Sequence, residues 1–171
     1  MTTEDTFPFE IVAVPWNDCN AVKLRQMQHD EFYSRYPEDP GEPGKSMDAE
    51  DCLLFLLIRQ QVKESNEVKY VAAAGLRKVD DSRAEVKRMF VIPEARGPPF
   101  RLGERLISSL EQHAQQFGFD TLLVETGSFN QQALRFYHRI GFSPCAAFPP
   151  YEKAKAPLSV FLEKKIVQQF Q

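Results

Sequence analysis

The sequence has few of the residues from which disulfide frameworks and metal centres are built. Its 171 residues include three cysteines and three histidines. Cys19, Cys52 and Cys145 are odd in number, lie far apart and form no Cys-x-x-Cys pair, and the histidines lack the spacing of zinc ligands. These shortages predict reduced thiols, no structural metal and a cytoplasmic protein, with the nucleus as the other reducing compartment.

Long hydrophobic runs and an excess of positive charge are also missing. The densest apolar run, residues 53–58, is far shorter than the ~20 residues that cross a bilayer. Residues 1–7 are polar and acidic, without the basic start and the apolar stretch of a secretory signal. A formal net charge of -3 does not suit a protein that coats nucleic acid or anionic lipid. We therefore expect binding to neither nucleic acid nor membranes.

The composition that is present is typical of a folded globular protein. Hydrophobic residues make up 43% of the chain and charged residues 26%, which is enough for a core and argues against disorder. A length of 171 residues without a repeat, a low-complexity tract or a linker predicts one domain over residues 1–171.

Hydrophobic periodicity predicts a mixed α/β (α+β) fold. Alternating or dense apolar segments indicate strands at 9–14, 53–60, 69–79, 83–92, 121–125 and 159–166, although a helix at 53–60 remains open. Helical spacing indicates helices at 19–36, 102–117 and 130–140, with Asn17 or Asp18 as the first cap and Gly118 and Gly141 as the later ends. The strand–helix–strand order from 83 to 125 predicts a parallel pair inside a mixed sheet. Alternation in the strand at 83–92 places Glu85, Lys87 and Met89 on one face and Val86, Arg88 and Phe90 on the other.

Residues 91–103 join a predicted strand to a predicted helix and carry two glycines and two arginines. Amide groups at a helix N-terminus are unpaired, and the helix dipole adds positive potential, so such a segment binds phosphate. Gly97 and Gly103 allow a ligand to approach the backbone, and Arg96 and Arg101 supply charge. The residues alone leave a second interpretation open, a turn with two solvated arginines.

A further motif, at residues 130–142, reads N-x-x-A-x-x-F-Y-x-x-x-G-F. Together with the strand at 85–91 and the Arg96-Gly97 loop, it resembles the GNAT superfamily of acyl-CoA-dependent N-acyltransferases, over a stretch from residue 69 to the C-terminus. The resemblance implies a mostly antiparallel, twisted sheet of six to seven strands with a splayed central parallel pair, flanked by about four helices. It also implies an enzyme that transfers acetyl from acetyl-CoA to a primary amine by direct attack in a ternary complex.

The loop departs from the family pattern R/Q-x-x-G-x-G/A. If Gly103 is aligned with the last glycine of the pattern, Arg101 occupies the position of its first glycine and Pro98 occupies the position of its Arg or Gln. Alternatively, Arg96-Gly97 is the usual start and two residues are inserted before Leu102, which is the interpretation that we prefer. The departure affects the detailed geometry of the diphosphate loop and the role of Arg101.

The resemblance implies a carrier site in the splay between the strand ending near Val91 and the strand at 121–125. Pantetheine amides would pair with the backbone of Met89 and Val91, and the Val91 amide would polarise the thioester carbonyl. A splayed strand leaves the Phe90 carbonyl and the Val91 amide unpaired, and a ligand is a natural partner for such groups. The expected acetyl-CoA-binding residues are Met89, Phe90, Val91, Arg96, Gly97, Pro98, Arg101, Leu102, Gly103, Glu104, Asn130 and Tyr137. Asn130 also suits a plain helix cap.

The resemblance gives two residues catalytic roles. Tyr137 would protonate the departing CoA thiolate, the alternative being a core tyrosine. Glu85, on the strand that borders the cleft, would accept the proton of the amine directly or through water, with Glu125 as the runner-up. The alternative for Glu85 is a solvent-facing side chain or a salt bridge with Lys87 or Arg77.

The acceptor is the least specified part of the prediction. We favour a small-molecule amine, because the chain carries no extra module for docking macromolecules. The acidic loop at 37–51, with Glu38, Asp39 and Glu42, would attract a cationic amine, unless it is simply solvated. Competing functions are a protein N-terminal or lysine acetyltransferase and a non-catalytic acyl-CoA-binding module. An ATP-binding domain is disfavoured, since no G-x-x-x-x-G-K-[S/T] run is present. Residues 148–151 and Phe170 are candidates for a homodimer surface.

Overall fold

The computed structural model describes residues 8–62, 65–154 and 156–166. The strands found there are β1 (Phe9–Ala13), β2 (Cys52–Gln61), β3 (Val68–Lys78), β4 (Arg83–Val91), β5 (Thr121–Gly127), β6 (Ser143–Pro144) and β7 (Ser159–Lys165). They form one seven-stranded sheet in the order β1-β2-β3-β4-β5-β7-β6. Every neighbouring pair is antiparallel except the central pair, β4 and β5, which is parallel. The predicted mixed sheet is therefore confirmed, and residues 53–60 belong to a strand.

The helices of the described residues are α1 (Cys19–Arg35), α2 (Leu102–Gln116) and α3 (Gln131–Arg139), with single-turn 3-10 helices at Pro93–Ala95 and Tyr151–Lys153. Three α-helices thus stand where about four were expected. Residues 37–51 form no helix, because their prolines lack amide donors and their glycines favour turns. The single-domain extent of 1–171 stays a prediction.

Local chemistry fixes the ends of the helices. Of the two candidate caps for α1, Asp18 is the one used, since its carboxylate accepts the amides of the first helical turn at 2.9 and 3.1 Å. After α2, Gly118 adopts φ +88°, and the Phe119 amide donates to the Ala114 carbonyl at 2.9 Å. A residue with a Cβ would be strained in this left-handed backbone, so Gly118 ends the helix as predicted.

The apolar face of α2 anchors the helix to the sheet. Leu102, Leu106 and Leu110 are at most 1% exposed, and α2 packs against β2, β3 and β4. Burial of each leucine stabilises the fold by about 1.5–3 kcal/mol relative to exposure. This packing holds the first turn of α2 beside the end of β4, from which the chain enters the helix.

A second, smaller core lies around Leu123, Phe148 and Tyr151. Phe148 is 0% exposed and Tyr151 is 1% exposed. The rings of Phe148 and Tyr151 are packed inside the protein and do not form a surface for a second copy of the chain. The prediction of a dimer surface at 148–151 is therefore wrong for these two residues. Phe170, the other residue of that prediction, lies outside the described residues.

The parallel pair separates after a short stretch. β4 and β5 are paired only from Arg83–Thr121 to Glu85–Leu123, whereas the strands run on to Val91 and Gly127. A backbone that leaves its neighbour exposes amide and carbonyl groups, which need other partners. The sheet therefore opens at its centre, on the side where β4 leads into α2.

A bulge in β4 interrupts the predicted alternation. Lys87 pairs with Gly75 and Phe90 pairs with Ala73, so two β4 residues face one residue of β3 between these pairs. Arg88, in the bulge, has φ +56°. Alternation placed Lys87 and Arg88 on opposite faces, but both side chains bind the same Glu42 carboxylate. The prediction of opposite faces is wrong because the bulge adds a residue and resets the period.

Candidate active site

A cavity of about 710 Å³ occupies the opening between β4, α1, α2 and α3. Eleven of the twelve predicted carrier-binding residues line it: Met89, Phe90, Val91, Arg96, Gly97, Pro98, Arg101, Gly103, Glu104, Asn130 and Tyr137. Leu102, the twelfth, is 1% exposed and packs in the core, so only its backbone is available. The two sequence motifs, about 40 residues apart in the chain, thus meet at one cavity.

The lining of the cavity carries an excess of positive charge. Its arginines are Arg35, Arg96, Arg101, Arg135 and Arg139, and its carboxylates are Glu31 and Glu104. The chain as a whole has a formal charge of -3, so the cations are concentrated here. Such a local field attracts an anionic ligand.

The backbone of β4 turns one amide toward this cavity. Ile92 donates to the Val71 carbonyl at 2.9 Å, and Val91 is in register with Ala72. Because bonded and non-bonded pairs alternate in antiparallel strands, the Val91 amide and carbonyl point away from β3 and into the splay. The same alternation makes Phe90 a bonded partner of Ala73, so its carbonyl is directed to β3. The expectation that the Phe90 carbonyl is unpaired is therefore wrong, whereas the Val91 amide is directed as expected.

Two carbonyls at the splay are occupied by side chains of the protein itself. Gln28 of α1 donates to the Met89 carbonyl at 2.9 Å, and Arg96 Nε donates to the Val91 carbonyl at 2.8 Å. A ligand that pairs with these carbonyls as an added strand has to displace both donors. Sequence reasoning missed Gln28, because its partner lies 61 residues away and no local pattern marks it.

Arg96 links the end of β4 to α1. Its Nη2 atom lies 2.7 and 3.0 Å from the two carboxylate oxygens of Glu31. Glu31 also accepts from Arg35 Nη2 at 3.1 Å. The Arg96 guanidinium, expected to be free for a phosphate, is therefore held by an internal carboxylate at the cavity wall.

The loop before α2 closes on itself. The Arg101 amide donates to the Gly97 carbonyl at 2.9 Å, and Arg101 itself has φ +48°. A left-handed backbone is what glycine provides at low cost. Only the alignment without an insertion places Arg101 at the first glycine of the family pattern. The residues between Gly97 and Arg101 form the closed turn, which is consistent with an insertion before Leu102.

The first turn of α2 is open to the cavity. Arg101 is the N-cap residue, and no side chain among the described residues caps the helix. The opening amides of α2 thus keep the free hydrogen-bonding capacity that an anion requires. Gly103 lies in this turn, and a Cβ there would come within 3.1 Å of Met89 Cε and 3.2 Å of the Phe136 ring. Close packing between α2, β4 and α3 therefore favours a glycine here, since a larger residue would require Met89 and Phe136 to shift.

Asn130 and Tyr137 lie on the cavity side of α3. The Asn130 side chain accepts the Ala133 amide at 3.3 Å, so it caps the helix. Tyr137 is 6% exposed, and burial, followed by the charges of Glu85 and Glu125, raises the pKa of its phenol. The raised pKa means that the phenol is protonated at neutral pH.

Glu85 lies outside the cavity in a buried network. It is 0% exposed, and Arg77 Nη2 lies 2.5 Å from its Oε2 atom. The Tyr151 hydroxyl donates to its Oε1 atom at 2.7 Å, and Lys87 Nζ donates to the Tyr151 oxygen at 2.9 Å. Glu85 therefore has the salt bridge that was its alternative interpretation. Tyr151 was missed because the 3-10 helix that carries it follows β4 by about 60 residues.

Glu125 lies on β5 beyond the last pair with β4. Only half-buried, it accepts a hydrogen bond from the Ser159 hydroxyl at 2.6 Å through Oε1. Burial is the main reason that the pKa of this carboxyl lies above its usual range, against the opposing effects of Ser159 and Lys87. A carboxylate of raised pKa is a stronger base than an ordinary one.

Three of the six acids of the loop at 37–51 form ion pairs within the protein. Glu42 binds Lys87 and Arg88, which outweigh burial and hold the pKa of Glu42 below its usual range. Asp48 and Asp51 both pair with Lys45. The loop therefore presents much less free negative charge than its sequence suggests.

Comparison with protein families identifies the chain. The model described as the acetyltransferase (GNAT) family matches residues 21–142, which include α1, the splay and the α3 motif. The chain belongs to the acetyltransferase (GNAT) family. This GNAT chain is 42% identical over 82 residues to a protein named IAA acetyltransferase from Azospirillum brasilense, which covers 48% of this chain and 51% of that protein. The chain spans about half the length of the curated relatives it matches.

Solved structures share the fold of this GNAT chain. An acetyltransferase from Streptococcus agalactiae has a TM-score of 0.68 at 20% identity, covering 92% of this chain and 98% of that one. A GNAT family acetyltransferase from Elizabethkingia anophelis, with acetyl-CoA bound, has a TM-score of 0.62 at 14% identity and covers 92% and 98%. At such identities the likeness concerns the fold alone, and it confirms the predicted architecture.

Two searches of the described residues complete the description of the GNAT chain. None of the helices in 8–62, 65–154 and 156–166 combines the length and the hydropathy of a membrane span. The same residues hold no group of three or more histidine, cysteine, aspartate or glutamate side chains arranged as metal ligands.

Proposed function

We propose that this chain is an acetyl-CoA-dependent N-acetyltransferase that acetylates the primary amine of a small molecule by direct attack in a ternary complex. One observation carries the proposal: the splay of β4 and β5 turns the Val91 amide into a cavity that also contains the open end of α2 and Tyr137. Family membership supports the reaction class. The acceptor, the roles of single residues and the cytoplasmic location belong to the proposal.

Acetyl-CoA fits the residues at the cavity. The uncapped amides of α2 and the five lining arginines suit a diphosphate. To bind it, Arg96 exchanges the Glu31 carboxylate for phosphate oxygens. Gln28 and Arg96 also release their hydrogen bonds to the Met89 and Val91 carbonyls. These carbonyls then accept hydrogen bonds from the amides of the pantetheine arm. When bound, the carrier supplies an activated acyl group, and the residues below act on it.

Three groups of the protein, the Val91 amide, Tyr137 and Glu125, stabilise the developing charge and transfer the protons. A neutral amine nitrogen forms a bond to the thioester carbonyl carbon, while the Val91 amide donates a hydrogen bond to the oxygen that becomes negative. As the carbon–sulfur bond breaks, the Tyr137 hydroxyl gives its proton to the thiolate. The proton of the amine goes to Glu125, directly or through water. An alkylamine has a pKa near ~10, so an acceptor of its proton is needed at neutral pH.

Glu125 is a better base in this scheme than Glu85. Arg77 binds one carboxylate oxygen of Glu85 and Tyr151 binds the other, and the side chain is 0% exposed. Glu125 is bound by Ser159 at one oxygen, lies at the splay and has a raised pKa. Glu85 then positions Tyr151 and Lys87 instead of touching the acceptor.

A thiol-release assay over a panel of amines tests the proposal. Wild-type protein should release CoA-SH from acetyl-CoA with some amines, and acetyl-CoA should raise its melting temperature. Tyr137→Phe should bind acetyl-CoA as tightly but turn over roughly 100-fold more slowly. Undiminished turnover by Tyr137→Phe would remove the acid role.

A non-catalytic acyl-CoA-binding module is the second candidate. It is favoured by the two splay carbonyls that protein side chains already occupy and by the left-handed backbone of Arg101, a residue other than glycine. Thermal stabilisation by acetyl-CoA without thiol release from any amine, peptide N-termini and lysines included, would select it.

A further inference from the structure

Three aromatic side chains form a cluster, which we call the aromatic wall: Phe32 and Tyr36, which line the cavity, and Phe129, which packs against both. Ring centroids lie 5.2 Å apart for Phe32 and Tyr36, 4.7 Å for Tyr36 and Phe129, and 6.1 Å for Phe32 and Phe129. All three rings are only half-buried. Phe32 and Tyr36 line the same cavity as Tyr137. A partly exposed aromatic cluster inside a cavity is a binding surface for an apolar group.

The backbone fixes the wall in place. A Cβ on Gly127 would lie 2.4 Å from the Phe129 ring, so this ring rests directly on the end of β5. Tyr36 follows the last residue of α1, and its amide donates to the Phe32 carbonyl at 2.8 Å. The wall therefore joins the end of α1 to the chain between β5 and α3, and it is preorganised rather than a loose surface patch.

The wall leads from the cavity into the loop at 37–51. Arg96, Arg101 and Gly103 lie where β4 leads into α2, whereas Tyr36 marks the start of the loop at 37–51. Tyr33, beside the wall, packs its hydroxyl near Gly41 of that loop. The loop also reaches the splay, since Glu42 binds Lys87 and Arg88 of β4. The wall and this loop thus border the part of the cavity left for the acceptor.

Charge at this end does not suit a polycation. Glu31 is bound by Arg35 and Arg96, and Glu42 is bound by Lys87 and Arg88. A polyamine or an aminoglycoside needs several free carboxylates, whereas Glu42 is paired twice and Glu31 keeps Arg35 as a partner when Arg96 turns to the diphosphate. Flat apolar surface is what remains.

We infer that the acceptor is a monoamine carrying an aromatic ring, which stacks against Phe32 and Tyr36, the two rings of the wall that line the cavity, while its amine reaches the thioester. This inference rests on the proposed function, since it names the substrate class of the same site. Stacking of the ring provides the binding affinity of the acceptor, and the groups at the splay orient its amine. Loss of one stacked ring in such a site lowers affinity roughly 3- to 10-fold.

Initial rates of thiol release with three amines test the inference on the unaltered protein. They are 2-phenylethylamine, its saturated counterpart 2-cyclohexylethylamine, and spermidine. The aromatic amine should have the highest kcat/KM, exceeding that of the cyclohexyl compound at least 3-fold. Equal values for the phenyl and cyclohexyl compounds, or a preference for spermidine, would overturn the inference.

Variants then locate the effect. Tyr36→Leu and Phe32→Leu keep apolar bulk but remove a ring that lines the cavity, and each should raise the KM for 2-phenylethylamine roughly 3- to 10-fold without changing the KM for acetyl-CoA. Phe117→Leu, at an exposed phenylalanine outside the cavity, is the control and should match the wild type. A rise in the KM for acetyl-CoA alone would mean that the wall contacts the carrier, against the inference.

Failure of the proposed function gives a different result. In that case no amine releases thiol. If acetyl-CoA still raises the melting temperature, the chain is a binding module; if it does not, the carrier site itself is wrong. Turnover without aromatic preference leaves the proposed function standing and removes only the substrate class.

Discussion

The Tyr151 hydroxyl donates a 2.7 Å hydrogen bond to Glu85 Oε1. Arg77 binds the other oxygen, Oε2, at 2.5 Å. The carboxylate is thus fully coordinated in a region where Glu85 is 0% exposed. The buried Glu85–Arg77 pair therefore has a structural role, because removal of either residue leaves the charge of the other buried and unpaired.

Removal of Glu85 should therefore affect stability more than chemistry. Glu85→Leu leaves the Arg77 guanidinium buried without its partner, and we expect a loss of about 3–5 kcal/mol in the free energy of unfolding, measured by urea denaturation. Glu85→Gln keeps the shape and should retain the pH dependence of kcat/KM. A folded Glu85→Gln protein that had lost that pH dependence would restore Glu85 as the base.

Glu125→Gln should have the opposite signature. The amide cannot accept a proton, so kcat/KM for the amine should fall roughly 100- to 10,000-fold. The KM for acetyl-CoA should stay close to that of the wild type. Ser159→Ala is the matched control, since it removes the 2.6 Å hydrogen bond to Glu125 and leaves the carboxylate in place. Wild-type turnover by Glu125→Gln would exclude this base.

The raised pKa of Glu125 also makes stability depend on pH. The folded protein holds this proton to higher pH than the unfolded chain, whose carboxyl titrates near ~4.3. The stabilising contribution is therefore complete below that value and is lost as pH rises through the folded-state pKa. Glu125→Gln does not titrate, so its stability relative to the wild type should increase between about pH 4 and about pH 7, in urea melts at several pH values. A constant difference would contradict the raised pKa.

Local patterns in the sequence were enough to predict six strands of the described sheet, the three described α-helices and eleven residues that line one cavity. Periodicity and turn residues act within a few neighbours, so α2 and Gly118 were predictable. The loop at 91–103 and the α3 motif each form one side of the cavity, and eleven predicted residues therefore line it. Gln28, Glu42 and Tyr151 could not be predicted, because each acts through a partner more than 40 residues away.

The predictions for β4 failed for a different reason. Period-two alternation assumes a regular strand, and the bulge at Arg88 breaks it. Alternation by itself also does not state which carbonyl faces β3, so Phe90 and Val91 were treated alike. Only the register against Ala72 and Ala73 separates them.

Two substitutions at Arg101 separate charge from backbone strain. Arg101→Gly and Arg101→Ala remove the same guanidinium, but only glycine relieves the left-handed backbone at φ +48°. We expect the glycine variant to be more stable than the alanine variant by about 1–2 kcal/mol in thermal or urea unfolding. Both should show the same rise in the KM for acetyl-CoA if the charge binds the diphosphate. Equal stabilities would mean that the turn adjusts to relieve the strain.

Glu31 should compete with the carrier for Arg96. Its carboxylate lies 2.7 and 3.0 Å from Arg96 Nη2 and places a negative charge where the proposal puts a diphosphate. Glu31→Gln removes that charge, so the KM for acetyl-CoA should fall about 2- to 5-fold at low salt, the range of a partly exposed ion pair. The advantage should shrink at high ionic strength, because salt screens the charge that the variant has lost. Glu94→Gln, which removes an exposed carboxylate paired with Lys69, is the control and should leave the KM unchanged. A higher KM in Glu31→Gln would show instead that Glu31 holds Arg96 in the geometry that binding requires.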